Sequence, residues 1–168
     1  SMRKNLFVAL LSVLIPAAAM AAEPVTRTPA EAEAVAQMQV MQAYVGSGKR
    51  AFIEQQLQLT PEEAEKFWPV YDAHQAALSE FNRRRLDNIL AYARVWNSGK
   101  IDDAAATALA KEAIAIEKQE AAQLERTFGK LKRAVPAAKA VRYLQVEAKL
   151  RAIVRFDQAA QVPFIPGA

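Results

Sequence analysis

Few residues of this chain have the types and spacing that enzyme chemistry requires. The 168 residues include one histidine and no cysteine, which excludes a cysteine nucleophile, a disulfide framework and the commonest zinc sites. The paired acids Asp102–Asp103 and Glu62–Glu63 stand where helices are expected to begin, and acidic side chains are favourable there in any protein. Glycine-rich phosphate loops and the G-x-S-x-G and H-E-x-x-H motifs do not occur. We therefore expect no enzymatic activity, no cofactor and no bound metal.

Two kinds of side chain in this sequence are better suited to binding than to catalysis. Arg83, Arg84 and Arg85 are consecutive, and three consecutive positions cover about 200° of a helix, so at least one points away from any single solvated face. The simplest interpretation of Arg85 is that its stem covers the core and its head pairs with Glu117; the alternative is that it lines a groove for an anionic or peptide ligand. Methionines suit promiscuous partners, but the simpler interpretation of Met38 and Met41 is a helix that docks its apolar side on the bundle or across a dimer.

The N-terminal residues predict export. Basic residues at positions 3 and 4 precede an apolar run over 6–15, and Ala19–Met20–Ala21 fits a signal-peptidase site. We expect residues 1–21 to be a cleaved signal peptide, with Ser1 a remnant of cloning. Residues 22–168 then form a single helical domain, with ragged ends at 22–28 and 162–168, located in the periplasm without stable membrane insertion.

Start and stop signals predict an all-α fold of four helices. Thr28–Pro29–Ala30–Glu31 is a capping box, and the first helix is expected to stop at the glycines of residues 46–48 and resume over 49–57. The second begins at Thr60–Pro61 and extends to Trp96, about 54 Å, with a kink at Pro69. The third begins at Asp102 or Asp103 and ends near Val135, and the fourth ends near Gln161. Such lengths predict an elongated molecule of antiparallel helical hairpins.

Charged and aromatic residues are expected to stabilise these hairpins. Residues 81–100 carry five basic and one acidic side chain, and residues 101–125 carry two and six, so hairpins would place opposite charges together. We expect Glu117 and Glu120 to lie near Lys149, Arg151 and Arg155, and we expect no nucleic-acid partner. His74 lies in an apolar stripe and is expected to be a core histidine with one nitrogen hydrogen-bonded. The expected aromatic core anchors are Phe52, Trp68, Trp96, Phe128 and Phe156.

Leu59–Thr60–Pro61–Glu62–Glu63, opening a long helix, resembles the L-T-x-x-Q motif of the Spy/CpxP family of periplasmic chaperones and stress-response regulators, with Glu63 in place of the glutamine. Over about Thr28 to Gln161 the resemblance implies a curved, cradle-shaped helical homodimer whose concave, basic and partly apolar face holds unfolded or misfolded clients without ATP. The wider group's metal-binding members carry His-rich or Cys-containing ends, which this chain lacks. The candidates for the client-binding face are Met38, Met41, Arg83, Arg84, Arg85, Lys139 and Arg142.

Two other functions remain open from the sequence. The protein could instead be a periplasmic accessory regulator that binds one envelope-stress sensor through a specific helix face. Saturable binding to a single partner, without protection of unrelated proteins, would distinguish that role. A purely structural envelope protein would show neither activity.

Overall fold

The structure is a computed structural model that describes residues 26–165, apart from the side chains at positions 34, 35 and 37–45. Over these residues the chain forms four helices and no strand: α1 (Pro29–Leu57), α2 (Pro61–Ser98), α3 (Asp103–Ala134) and α4 (Ala137–Gln161). The expected all-α fold is confirmed. The expected signal peptide lies outside the described residues.

Side-chain caps fix three of the four helix starts. Thr28 and Thr60 each accept a hydrogen bond from the backbone N–H three residues on, and the glutamate there, Glu31 or Glu63, accepts one from the threonine N–H. Asp102 accepts from the Ala105 N–H at the start of α3. Such caps satisfy backbone donors that the first helical turn otherwise leaves unpaired.

The expectation that the first helix stops at Gly46–Ser47–Gly48 was wrong. The α1 helix is continuous through these residues and ends at Gln58, whose φ of 45° is left-handed. A glycine inside a helix costs about 1 kcal/mol relative to alanine. The fully buried side chain of Ile53 and the buried Leu57 recover more than this by packing. Tertiary burial therefore outweighs the local glycine signal.

The α2 helix is the longest element. Its 38 residues span about 57 Å, and it continues through Pro69 rather than ending there. Pro69 has no N–H to donate within the helix, but the surrounding turns remain helical. The helix ends at Gly99, whose φ of 70° places it in the left-handed region that glycine adopts without steric cost.

Successive helices run antiparallel. Along α2 and α3, the Asn88 side chain donates to the Leu109 carbonyl, Arg84 pairs with Glu112, and His74 contacts Thr127. Residue numbers that decrease along α2 are paired with numbers that increase along α3. The two helices therefore form an antiparallel hairpin that turns near residue 100. The α3 and α4 helices form a second antiparallel hairpin that turns at Pro136, since Glu117 pairs with Arg155 and Glu120 with Arg151. The α4 helix also runs antiparallel to α1, because Lys49 contacts Glu147 and Gln58 contacts Lys139.

The main core lies where the C-terminal half of α1 meets the start of α2, the end of α3 and the first half of α4. Aromatic side chains fill its centre: the Phe67 and Tyr143 rings meet edge to face, with centroids 5.4 Å apart. This geometry is favourable for aromatic pairs. The buried members of the core are Ile53, Leu57, Phe67, Tyr71, Leu131, Val135, Ala140, Tyr143 and Val146.

Candidate functional site

The consecutive arginines of α2 point in three directions. Arg83 stays on its own helix, where its guanidinium pairs with Glu80 and with Asp87 at 3.0 Å. Arg84 reaches across to α3 and binds Glu112 through two nitrogens, at 2.8 and 3.1 Å. These glutamate contacts raise the pKa of both guanidinium groups. Arg84 therefore links α2 to α3, whereas Arg83 forms ion pairs within α2.

The third arginine, Arg85, belongs to a partly buried ion cluster. It pairs with Glu120, whose side chain is only 3% exposed, and lies 3.5 Å from Glu117. From α4, Arg151 approaches Glu120 at 2.8 Å and Arg155 approaches Glu117 at 2.8 Å. The expected pairing of Arg85 with Glu117, and of both glutamates with Arg151 and Arg155, is confirmed, whereas Lys149 is exposed and takes no part in these ion pairs. We call these five residues the arginine cluster.

Lys139 and Arg142 lie elsewhere, at the end of α1. The Lys139 ammonium donates to the Gln58 carbonyl at 3.0 Å and pairs with Glu63, while Arg142 donates to the Gln56 carbonyl at 3.1 Å. Cations at the last carbonyls of a helix are favourable because of the helix dipole. Glu63 and Arg83 are separated along α2 by about 30 Å, so the two groups of cations do not form one continuous patch.

The other residues predicted from the sequence are the two methionines of α1 and the three residues of the family motif. Met38 and Met41 fall within α1, but their side chains lie outside the described part of the structure. The motif residues Leu59, Thr60 and Glu63 begin α2: Thr60 and Glu63 form its capping box, and Leu59 packs against the core. The hydrogen bond from Lys139 and the one from the Thr60 N–H lower the pKa of Glu63. The motif thus defines the α1–α2 corner and ties it to α4.

An open cavity of about 590 Å³ lies beside the arginine cluster, with walls from all four helices. Arg85, Glu120, Arg151 and Arg155 form its charged side. Its apolar part is formed by Phe52, Leu78, Leu124, Leu144, Leu150 and Val154. An apolar cavity with a few convergent polar groups is the usual form of a ligand site.

A second polar group in the cavity wall is a buried network around Glu147. Its carboxylate accepts from the Lys49 ammonium at 2.8 Å, from the Gln75 amide at 2.8 Å and from the Tyr143 hydroxyl at 2.7 Å. Burial alone would raise the pKa of Glu147, but Lys49 and these hydrogen bonds outweigh burial and hold it below the ordinary value. Burial, together with the nearby Glu147 charge, raises the pKa of Tyr143, so the hydroxyl stays protonated and donates.

His74 also lines the cavity. It is buried in α2, and its Nδ1 lies 3.0 Å from the Thr127 hydroxyl on α3. Burial lowers the pKa of the imidazole, so the ring is neutral at pH 7. The expectation of a core histidine with a hydrogen-bonded nitrogen is confirmed.

The C-terminal part of α4 and the residues after it expose large apolar side chains. Phe156 is 79% exposed and Ile153 62% exposed, and Phe164 and Ile165 are exposed as well. Arg151 contacts α3, and Ile153 and Phe156 lie about 200° and 140° around the helix from it, so these two side chains point away from α3. We call Ile153, Phe156, Phe164 and Ile165 the α4 apolar surface. The expectation that Phe156 anchors the core was wrong, and Phe52, 43% exposed, is a cavity-rim residue.

Sequence reasoning missed both the Glu147 network and the α4 apolar surface. A signal for the first was the spacing of four between Tyr143 and Glu147, which places two polar side chains on the same face of α4. A signal for the second was the pair Phe164–Ile165, which follows Pro163 and therefore lies beyond the last helix.

Within residues 26–165, three or more His, Cys, Asp or Glu side chains do not come together in a way that could hold a metal ion. Over the same residues, every helix falls short of the length and apolarity needed to cross a bilayer. No family model, curated protein or solved structure matches the chain.

Proposed function

We propose that the protein is an ATP-independent holding chaperone of the Spy/CpxP type, which acts in the periplasm as a homodimer and binds unfolded polypeptides. The observation that carries this proposal is the α4 apolar surface. Its members Ile153 and Phe156 lie one helical turn apart, and neighbouring exposed apolar side chains typically mark interaction sites. The signal-peptide pattern at the N-terminus supports the location.

The composition of this surface suits unfolded clients. Phe156 and Ile153 offer apolar contacts without a surrounding pocket that would select one sequence. Arg151 and Arg155 are not part of this surface, because both pair with Glu117 and Glu120 of α3. Weak apolar contacts without a fixed pocket favour many partners over a single one.

The proposal is tested by light scattering of a chemically unfolded, unrelated protein diluted with and without this protein in the absence of ATP. The variant Ile153→Ser/Phe156→Ser removes the centre of the surface, and Ile114→Ser removes a side chain on α3 that is also exposed, at 56%. We expect the wild type and Ile114→Ser to suppress aggregation equally. The double variant should need at least about fivefold more protein for the same effect, because two apolar contacts are lost.

Circular dichroism and sedimentation mass complete the test. All three side chains are exposed, so helicity should be unchanged, and a dimeric mass for every variant would show that the effect is not a loss of assembly. Equal suppression by the double variant would remove the α4 apolar surface from the proposal. No suppression by the wild type would contradict the holding function and favour a regulator that binds one partner.

A further inference from the structure

The cavity beside the arginine cluster has the size and lining of a small-molecule site. Its volume of about 590 Å³ lies within the range of ligand pockets in proteins. The apolar part is continuous from Phe52 of α1 to Leu144 and Leu150 of α4. Because its walls come from four helices, the cavity is a product of the fold rather than of one flexible loop.

Among the described residues, the charged groups at the cavity wall, together with one glutamate behind it, leave an excess of one positive charge. Lys49 and Glu147 pair with each other at 2.8 Å and cancel, and His74 is neutral. The other charged groups at the wall are three arginines and Glu120, and Glu117, which does not line the cavity, pairs with the same arginines. Burial, followed by the nearby guanidinium groups of Arg155 and Arg85, lowers the pKa of Arg151.

The two α4 arginines are placed to bind an anion at the edge of the apolar part. Arg151 and Arg155 each form their ion pairs with the glutamates through Nη2. A guanidinium has five N–H donors, so donors on the other nitrogens can bind a second anion. The adjacent aliphatic wall includes Leu150 and Val154, their neighbours along the chain. A ligand that bridges both regions needs one negative charge and a long apolar tail.

We propose that this cavity binds a fatty acid, with the carboxylate held by Arg151 and Arg155 and the alkyl chain against the apolar wall. A single carboxylate balances the excess charge, whereas a dianionic head would exceed it. An uncharged lipid would leave the excess uncompensated. The inference does not depend on the holding function, because the cavity lining and the α4 apolar surface use different apolar side chains.

The test is calorimetric titration of the protein, expressed from its full sequence, with dodecanoate below its micelle concentration and with dodecanol as the uncharged analogue. We expect saturable binding of one dodecanoate per chain and at least about tenfold weaker binding of dodecanol, since a charge-assisted pair is lost. Arg155→Gln should weaken dodecanoate binding by about tenfold and leave dodecanol binding unchanged. Absence of saturable dodecanoate binding, or equal binding of the two analogues, would overturn the proposal.

A pair of tryptophan substitutions locates the bound ligand. Ala148 is exposed at the cavity wall, so Ala148→Trp should fill the cavity and abolish binding without affecting the core. Ala138 is equally exposed on α4 but outside the cavity, and Ala138→Trp should bind dodecanoate as the wild type does. Unchanged binding by Ala148→Trp would place the ligand elsewhere, for example on the α4 apolar surface, and would also overturn the proposal. In that case Ile153→Ser/Phe156→Ser would weaken dodecanoate binding.

Discussion

Replacing Glu147 by glutamine should destabilise the fold more than any exposed charge substitution. The glutamine carbonyl can still accept from Gln75 and Tyr143, but the amide nitrogen would face the Lys49 ammonium, which now meets a donor instead of an acceptor. The Lys49 side chain is only 12% exposed. Removing one partner of a buried ion pair typically costs about 3–5 kcal/mol.

Two features of the site should make the loss of stability smaller than this typical cost. Lys49 keeps its hydrogen bond to the Gln75 side-chain oxygen, at 2.9 Å, and it borders the open cavity, where water can solvate it. We therefore expect Glu147→Gln to lower the free energy of unfolding by about 2–3 kcal/mol. For a chain of this size the melting temperature should fall by about 6–9 °C.

Chemical denaturation followed by far-UV circular dichroism measures this change. Glu125→Gln, on an exposed position of α3, is the control and should change stability by less than about 0.5 kcal/mol. The double variant Lys49→Met/Glu147→Gln should lose less than the sum of its single variants, because the two groups act as a pair. A Glu147→Gln effect no larger than that of the control, or strictly additive effects of the single variants, would contradict a stabilising ion pair between Lys49 and Glu147.

Two further predictions concern His74 and the glycines. Because burial holds the pKa of His74 below its ordinary value of 6.5, the unfolded chain gains a proton at higher pH than the folded one, so stability should fall by up to about 1.4 kcal/mol between about pH 7.5 and pH 5.5. Denaturation at both pH values should show this slope in the wild type and not in His74→Gln; the same slope in both would contradict it. Gly129→Ala should raise stability by about 0.5–1 kcal/mol, since a Cβ there has no heavy atom within 4 Å. Gly99→Ala should instead lower stability by about 1 kcal/mol, because Gly99 has a φ of 70°; thermal melts that rank the two variants in the opposite order would be inconsistent with these backbone conformations.

The helices were largely predictable because their signals are local. Thr28, Thr60 and Asp102 cap the helices that the sequence assigned to them, and Gly99 ends α2 as expected. A cap depends on residues within one turn, so the sequence alone contains the necessary information. The continuity of α1 through Gly48 was not predictable in this way, since it depends on the burial of Ile53 and Leu57 against other helices.

The candidate site was only partly predictable, for a related reason. Hairpin register placed Glu117 and Glu120 near Arg151 and Arg155, because two helices joined by a short turn have a fixed alignment. The contact of Lys49 with Glu147 joins α1 to α4, two elements that are distant in sequence. The exposure of Phe156 likewise depends on which face of α4 is left uncovered, and an apolar residue in a helix does not indicate this by itself.

Site-specific photo-crosslinking to an unfolded client tests the holding function most directly. A photoreactive side chain at position 156 lies on the α4 apolar surface, and one at position 114 occupies an exposed apolar site on α3. Crosslinks are expected at position 156 when the client is unfolded, few when the same protein is folded, and few from position 114 in either case. Equal crosslinking from both positions, or crosslinks that do not depend on the folding state of the client, would contradict the holding function.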